Sequence, residues 1–542
     1  MIPGGRPLPH RVPPGRRHTT GSPEPPGEIG PARGRHGLAR TSGGIAALAA
    51  AGVVTGFAVD ATVAALFGAS ARTDALFIAA TIPFALASVL LASANQALVP
   101  LINAWFRDHG IEPALDRVNG LLGSSLVIAT GVALVGVALS PVLPSVLAPG
   151  ASPSTRASAS TITALLFVTV VTRVGAEVVR ALLNARFSFV APASMPIAEN
   201  LAVLGTTLLL ADRLGVRAVA VGYVAGGILQ FGYMYGVAWS RGLRVRPRVR
   251  FRDPEIRGAF RLLRLPLAGT GLSMIARAVE RFLASFLPAG SITILNYAWV
   301  IVNSLGGAIF FRSVVVALLP RLSEARRDDD ASRRIVGDGI RLMSLISIPL
   351  TAIVIVLAEP LVRLGFQRGA FSASSAVLLS SVLAIYALQF PLDALTRVFQ
   401  SFWYSRLDTR VPFLNVALGV GADIALAAVL VWPLGVRGLA LAYVLSSIAN
   451  LAHGYVTVNR RIRVRLPALL RLLAKIVVAS ALAGGSAAVA ATFLPGSAGL
   501  AGRLLAVAVP GVVASVVLVV SLAMLRVRIW GLVRRPDEPP TA

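Results

Sequence analysis

The sequence predicts an all-α polytopic membrane protein of about 14 transmembrane helices. They are expected as two six-helix lobes in parallel repeat, followed by two extra C-terminal helices. Three observations carry this. Of 542 residues, 56% are hydrophobic and only 14% charged, with mean hydropathy +0.76, a balance soluble domains do not reach. The apolar residues gather in runs of roughly 20, the length a helix needs to cross the hydrocarbon core at about 1.5 Å per residue. Finally, the second half echoes the first at a constant offset of 220 positions.

Residues 1–42 are rich in proline, glycine and arginine, without apolar periodicity or a cleavage pattern. They predict a disordered basic tail rather than a signal peptide. The apolar runs then fall at 43–68, 76–104, 120–148, 158–183, 193–211 and 216–240 for an N-lobe (43–240). A basic linker (241–261) leads to runs at 262–287, 292–318, 337–358, 374–402, 411–432 and 435–456 for a C-lobe (262–456). Runs at 470–493 and 500–526 lie in a last membrane segment (457–526), and 527–542 read as a short tail.

Arginine sets the expected orientation. With the N-terminus inside, the inner segments hold about 37 basic residues and the outer loops about eight. Both termini are therefore expected in the cytoplasm. The net charge of +27 sits in short loops between apolar runs, which argues for anionic membrane lipids as partners and against nucleic acid. Nine arginines fall in 241–264, alternating from Arg244 to Arg252, a pattern that suits either an extended strand or a solvated linker.

The repeat is carried by Leu214 to Val224 against Leu434 to Val444, Ala97 to Pro100 against Ala317 to Pro320, Arg186 against Arg406 and Pro192 against Pro412. The offset spans six runs, an even number, so both halves enter the membrane in the same direction. The last two runs lie outside it.

Catalytic chemistry has little to work with. There is no cysteine, only five histidines, and no pair of these at metal-ligand spacing. The outer loops are too short for a catalytic domain, and no phosphate-binding loop is present. No enzyme, catalytic residue, metal or cofactor is expected. What remains are charges inside apolar runs, which are costly in hydrocarbon and so face a cavity or a partner. Arg277, Glu280 and Arg281 stand at i, i+3 and i+4, placing two guanidinium groups around a carboxylate on one helix face. With Arg312, Asp60, Asp74 and Thr293 they are the candidate cavity residues; Arg173, Glu177, Asp393 and Arg397 are secondary ones. Arginine binds phosphate in a bidentate way, so the cluster suits a pyrophosphate-bearing substrate. Pro83, Gly306, Gly307 and Pro391 interrupt the runs and are candidate hinges.

Several stretches resemble one family. Gly56-Phe57-Ala58-Val59-Asp60, Thr73-Asp74-Ala75-Leu76-Phe77, Ile82-Pro83 and Gln96 to Pro100 are similar to the opening of the MurJ (MviN) lipid II flippases, within the multidrug and oligosaccharidyl-lipid exporter superfamily. Ser285 to Thr293, Leu295 to Ala298, Leu319 to Ser323, Phe366 to Phe371 and Asp408 to Pro412 continue the match over roughly residues 43–465. The resemblance implies alternating access that carries an undecaprenyl-pyrophosphate-linked cell-wall precursor from inner to outer leaflet. It also implies a bacterial cell membrane location, and a lipid-tail groove formed by the two extra helices. An H+ or Na+ gradient, or the membrane potential, is the expected driving force.

The chain departs from that pattern at the family's cavity arginines. Gly52-Val53, Val59, Ala87-Ser88 and Val300 stand where the family has arginine, while Asp60 and Asp74 remain. Either Arg277, Arg281 and Arg312 take over, or the cargo is another lipid-linked oligosaccharide or polysaccharide unit. A non-transporting membrane scaffold is a further reading, and a small-molecule antiporter of the same superfamily another.

Overall fold

A computed structural model describes residues 35–93, 98–306, 312–464, 466–494 and 499–526. Of the tail predicted at 1–42, residues 1–34 lie outside these, as does the tail at 527–542, and residues 35–42 belong to the first helix instead. Among the described residues there are eighteen helices and no strand. The first half contains α1 (Arg35–Phe67), α2 (Ala71–Ser93), α3 (Val99–His109), α4 (Ile111–Leu139), α5 (Leu143–Leu147), α6 (Pro153–Ala185), α7 (Val190–Leu214) and α8 (Arg217–Ser240). The second contains α9 (Pro254–Ala284), α10 (Ser291–Val302), α11 (Arg312–Glu324), α12 (Asp329–Gly365), α13 (Ala373–Ala387), α14 (Gln389–Ser405), α15 (Arg410–Leu434) and α16 (Val436–Ile462). α17 (Leu466–Thr492) and α18 (Leu500–Met524) follow. Among the described residues eleven helical segments are long and apolar enough to cross a membrane, with α13 and α14 counted as one. The other predicted spans fall on α2, on the charged α9, and on α10 with α11.

The helix boundaries carry the repeat further than the residue matches do. α2 and α10 begin 220 positions apart, at Ala71 and Ser291, and α7 and α15 match at both ends. Ser152 and Ser372 each cap a helix by accepting from the backbone N–H three residues on, at 3.2 and 3.1 Å. Even the exceptional backbone recurs. Phe187 and Leu407 take positive φ of 55° and 60°, and Gly215 and Gly435 take 57° and 58°. A left-handed φ is costly for phenylalanine and leucine, so its recurrence marks one corner built twice.

Each half is a bundle. α6 packs on α2, α4 and α8, with α1 on α7 and α7 on α8; in the second half α12 packs on α13 and α14, and α14 on α16, α15 on α9 and α16. The halves meet where α2 touches α9 and α10 and where α4 and α5 touch α9. α17 and α18 pack on each other and on α12, outside both bundles.

The basic linker is extended and also anchored. The backbone N–H groups of Arg246 and Arg248 donate to Asn119 Oδ1 and Asn119 O (2.7 and 3.0 Å), and that of Arg250 donates to Ser124 Oγ (3.0 Å). The segment lies so close to α4 that a Cβ at Gly123 would stand 2.3 Å from the Arg248 carbonyl oxygen, so only glycine fits there. Beyond it, Ile256 and Ala259 at the start of α9 are fully buried in a cluster with residues of α3, α4 and α6. α9 thus begins on the first half and ends among the second.

Of the interruptions, Pro83 lies buried within α2, and Gly306 ends a π turn at 303–306. Gly307 lies outside the described residues. Pro391 occupies the first turn of α14, just after the break at Leu388, where a missing N–H leaves no helical bond unmade.

Candidate functional site

The expected site residues separate into three places. The first is a closure between the halves at the end of the molecule where α2 and α10 begin. Asp74 Oδ1 accepts from the backbone N (2.8 Å) and Oγ1 (2.7 Å) of Thr293, and Asp74 Oδ2 accepts from Gly290 N (2.6 Å). A carboxylate from one half thereby satisfies orphan N–H groups at the start of a helix in the other, where the helix dipole favours negative charge. Thr293 Oγ1 also bonds Thr73 Oγ1 at 3.0 Å. Beside them Ala370 N donates to Ala65 O at 2.8 Å, and Gly150 N to Ser285 Oγ at 3.1 Å. Gly290 holds φ +94° with its Cα side 2.6 Å from Ala69 O, measured from the position a Cβ would take. Phe57 against Phe366 (5.2 Å) and Phe77 against Tyr297 (5.5 Å) pack edge to face across the same closure.

The second place is a cavity of about 340 Å³ inside the C-lobe, lined from α9, α10, α13, α14, α15 and α16. Arg277, Glu280, Asp393, Arg397 and Asp423 bring charge to its wall, and Trp299, Tyr386 and Tyr443 bring aromatic surface. Arg397 Nη2 holds Asp393 Oδ2 at 3.0 Å within α14. Arg277 lies over Trp299, its guanidinium carbon 3.9 Å from the ring centroid. Asp423 makes no hydrogen bond or ion pair with a described residue, and the Oδ1 atom of Asn450, also on the cavity wall, is buried without a partner.

Arg281 departs from the expectation. It does not share the cavity with Arg277. It is buried, donating to Ile292 O and Asn296 Oδ1 (both 3.0 Å), with Glu280 at 3.8 Å. One turn beyond Arg277, it reaches the first turns of α10, where its donors are spent holding the α9–α10 hairpin. The side chain of Arg312 lies outside the described residues.

The third place lies within the N-lobe. Arg173 does not pair with Glu177 along α6, the pairing its spacing suggests; it crosses to Glu199 on α7. Gln230 Nε2 approaches the other Glu199 oxygen at 3.4 Å, and Glu177 is held instead by Arg180. The Arg173 guanidinium stacks 4.9 Å from the Phe84 ring and 6.0 Å from Tyr223. Asp60, half-buried on α1, has no described polar partner. Glu199, Gly419 and Asn450 were not among the candidates; the 220-residue offset, applied position by position, points to them.

A profile of the family described as "Lipid II flippase MurJ" matches residues 63–509, more than half of the chain. The chain belongs to the lipid II flippase MurJ family. A probable lipid II flippase MurJ of Vibrio cholerae is 29% identical over 419 residues, covering 74% of this chain and 78% of that one. One of Rhizobium meliloti is 28% identical over 413 residues, covering 73% and 76%. Among solved structures, "Lipid II flippase MurJ, inward closed conformation" superposes with TM-score 0.75 at 18% identity, covering 89% of this chain and 98% of that one. An inward-facing multidrug resistance MATE transporter of the MOP superfamily superposes at 0.58 and 15% identity, covering 79% of this chain and 95% of that one. The MurJ family comprises membrane transporters of the bacterial inner membrane, which agrees with the helices and with charged groups gathered inside the lobes.

Proposed function

We propose that this chain carries lipid II, an undecaprenyl-pyrophosphate-linked cell-wall precursor, from the inner to the outer leaflet by alternating access. The observation that supports the reading is the closure built on Asp74: at that end the start of α10 is hydrogen-bonded to α2, while at the opposite end the hydrogen bonds described between the halves run through the linker and the first turn of α9, where Trp105 Nε1 donates to Glu255 Oε2 at 2.6 Å, a division that suits an inward-facing stage. Both termini face the cytoplasm in this scheme, so the closure is the outer gate. Opening it means exchanging the Thr293 and Gly290 bonds for water while the inner ends of the lobes approach.

The driving force enters at the C-lobe cavity. Asp423, with no partner among the described residues, and the orphaned Asn450 amide oxygen form an oxygen-lined place suited to a coupling cation, H+ or Na+, whose occupancy biases which gate is open. Arg277 supplies the cavity's accessible guanidinium, in front of Trp299, where the family's arginine is missing. The nine arginines of 241–264, with Arg248 and Arg250 tied to Asp116 (3.1 and 2.5 Å), leave others exposed for anionic headgroups at the inner mouth.

A second reading, that the cargo is a different lipid-linked glycan, is favoured by Trp299-Val300 and by the stacking of Arg277 on Trp299. The deciding experiment is rescue of a bacterium depleted of its own lipid II flippase, with leaflet accessibility of lipid II as readout. Rescue with restored outer-leaflet lipid II supports the first reading. A well-expressed chain that leaves lipid II inside removes it.

A further inference from the structure

The N-lobe cluster and the C-lobe cavity are the same place in the repeat, filled differently. At the offset of 220, Glu199 corresponds to Gly419, Gln230 to Asn450, and Tyr223 to Tyr443. Arg173 corresponds to Asp393 and Glu177 to Arg397, so the two charges on α6 are inverted on α14. In the C-lobe the α15 position is glycine and the Asn450 amide lies against it, a Cβ at Gly419 standing 2.2 Å from Asn450 Nδ2, so no acidic side chain enters the cavity from that position. In the N-lobe the Glu199 side chain occupies the corresponding volume, and Arg173 reaches into it to form the ion pair.

We infer that Arg173 is a tethered stand-in for a coupling cation, closing in the N-lobe the copy of the site that the C-lobe leaves open. The inference rests on the reading of the C-lobe cavity as a cation site and adds that the chain exchanges a cation in that lobe alone. A guanidinium between a carboxylate and two aromatic faces has the surroundings a cation takes, with the charge fixed to the backbone and unable to leave. The groups facing it are Glu199 from α7, Glu177 and Arg180 from its own helix, Tyr223 and Gln230 from α8, and Phe84 from α2. Removing the Arg173 charge leaves Glu199, buried and acidic, as the ligand of a new exchangeable site.

The full-length chain in lipid nanodiscs is titrated with NaCl in a choline background by calorimetry, and with acid to count protons taken up. Arg173→Met is expected to bind an additional Na+ or proton relative to the unmodified chain, and to keep it when Asp423→Asn is added. Arg173→Lys, which retains the tethered charge, is expected to gain nothing. A folded, monodisperse Arg173→Met chain with no extra Na+ or proton overturns the inference. If the unmodified chain and Asp423→Asn bind cations equally, the C-lobe reading fails by itself, and the gain in Arg173→Met still decides the N-lobe question. Should Arg173→Met not fold, the reciprocal graft Asp393→Arg with Gly419→Glu places the N-lobe set in the C-lobe. That graft is expected to abolish cation binding, and retained binding overturns the inference.

Discussion

Asp74 and Thr293 join the two halves of the molecule through a single carboxylate oxygen, which accepts from both the backbone N–H (2.8 Å) and the hydroxyl (2.7 Å) of the threonine. With Gly290 N on the other oxygen at 2.6 Å, three donors of one lobe depend on one carboxylate of the other. Hydrogen bonds to a charged group contribute roughly 1.5–3 kcal/mol each. Losing the set is expected to shift the closed state by at least about 2 kcal/mol, or roughly 30-fold in population. Asp74→Ala should therefore open the outer end and slow transport by an order of magnitude. The chain has no cysteine, so a pair of cysteines introduced at the outer ends of α2 and α10 can be spin-labelled without removing native thiols. An unchanged distance distribution in Asp74→Ala would mean that the closure is held elsewhere.

Arg277 and Arg281 differ by one helical turn and are expected to fail differently. Arg281 is buried with its donors engaged by Ile292 O and Asn296 Oδ1, so Arg281→Ala removes both bonds of the α9–α10 hairpin, empties a buried volume and leaves Glu280 without its neighbour. A loss of several kcal/mol is typical for breaking such an interior network. It should be seen as a clear drop in Tm. Arg277 faces the cavity over Trp299, and Arg277→Ala should leave Tm within a few degrees while lowering flipping at least tenfold. Equal Tm losses in the two variants would contradict this division.

The contrast shows how far the sequence could be read. Apolar runs and the 220-residue offset were enough for the fold, because a helix in hydrocarbon must satisfy its own backbone and the repeat fixes the direction of each half. Spacing along one helix was also enough to pair Arg397 with Asp393. It was not enough for Arg173, whose partner Glu199 is on another helix, nor for Arg281, because i, i+4 neighbours diverge where a third helix offers acceptors. The cavity was least legible of all: it depends on Gly419, a residue whose significance is the side chain it lacks.

The coupling cavity gives a third prediction. Asp423→Asn removes the unpartnered carboxylate while keeping its shape. In proteoliposomes, flipping by this variant should lose its dependence on an imposed H+ or Na+ gradient while keeping a slow downhill rate. Gradient-dependent flipping that survives the substitution would place the coupling group outside this cavity.

The linker supplies the last prediction, and it tests packing rather than transport. Three backbone donors of residues 246–250 end on Asn119 and Ser124, and Asp116 holds Arg248 and Arg250 from the same helix face. Half of this attachment is surface charge, which contributes little and is screened by salt. The backbone bonds and the fit over Gly123 matter more. Asp116→Ala should therefore raise hydrogen exchange in 243–252 only slightly, and less at high salt. Asn119→Ala, which removes the side-chain acceptor of Arg246 N, should raise it roughly 5- to 10-fold, as expected for about 1 kcal/mol. Gly123→Ala should detach the segment altogether, because its methyl group would overlap the Arg248 carbonyl, and exchange there should approach that of an unstructured chain. If Asp116→Ala proves the most disruptive of the three, the linker is held by charge and the close approach at Gly123 is incidental.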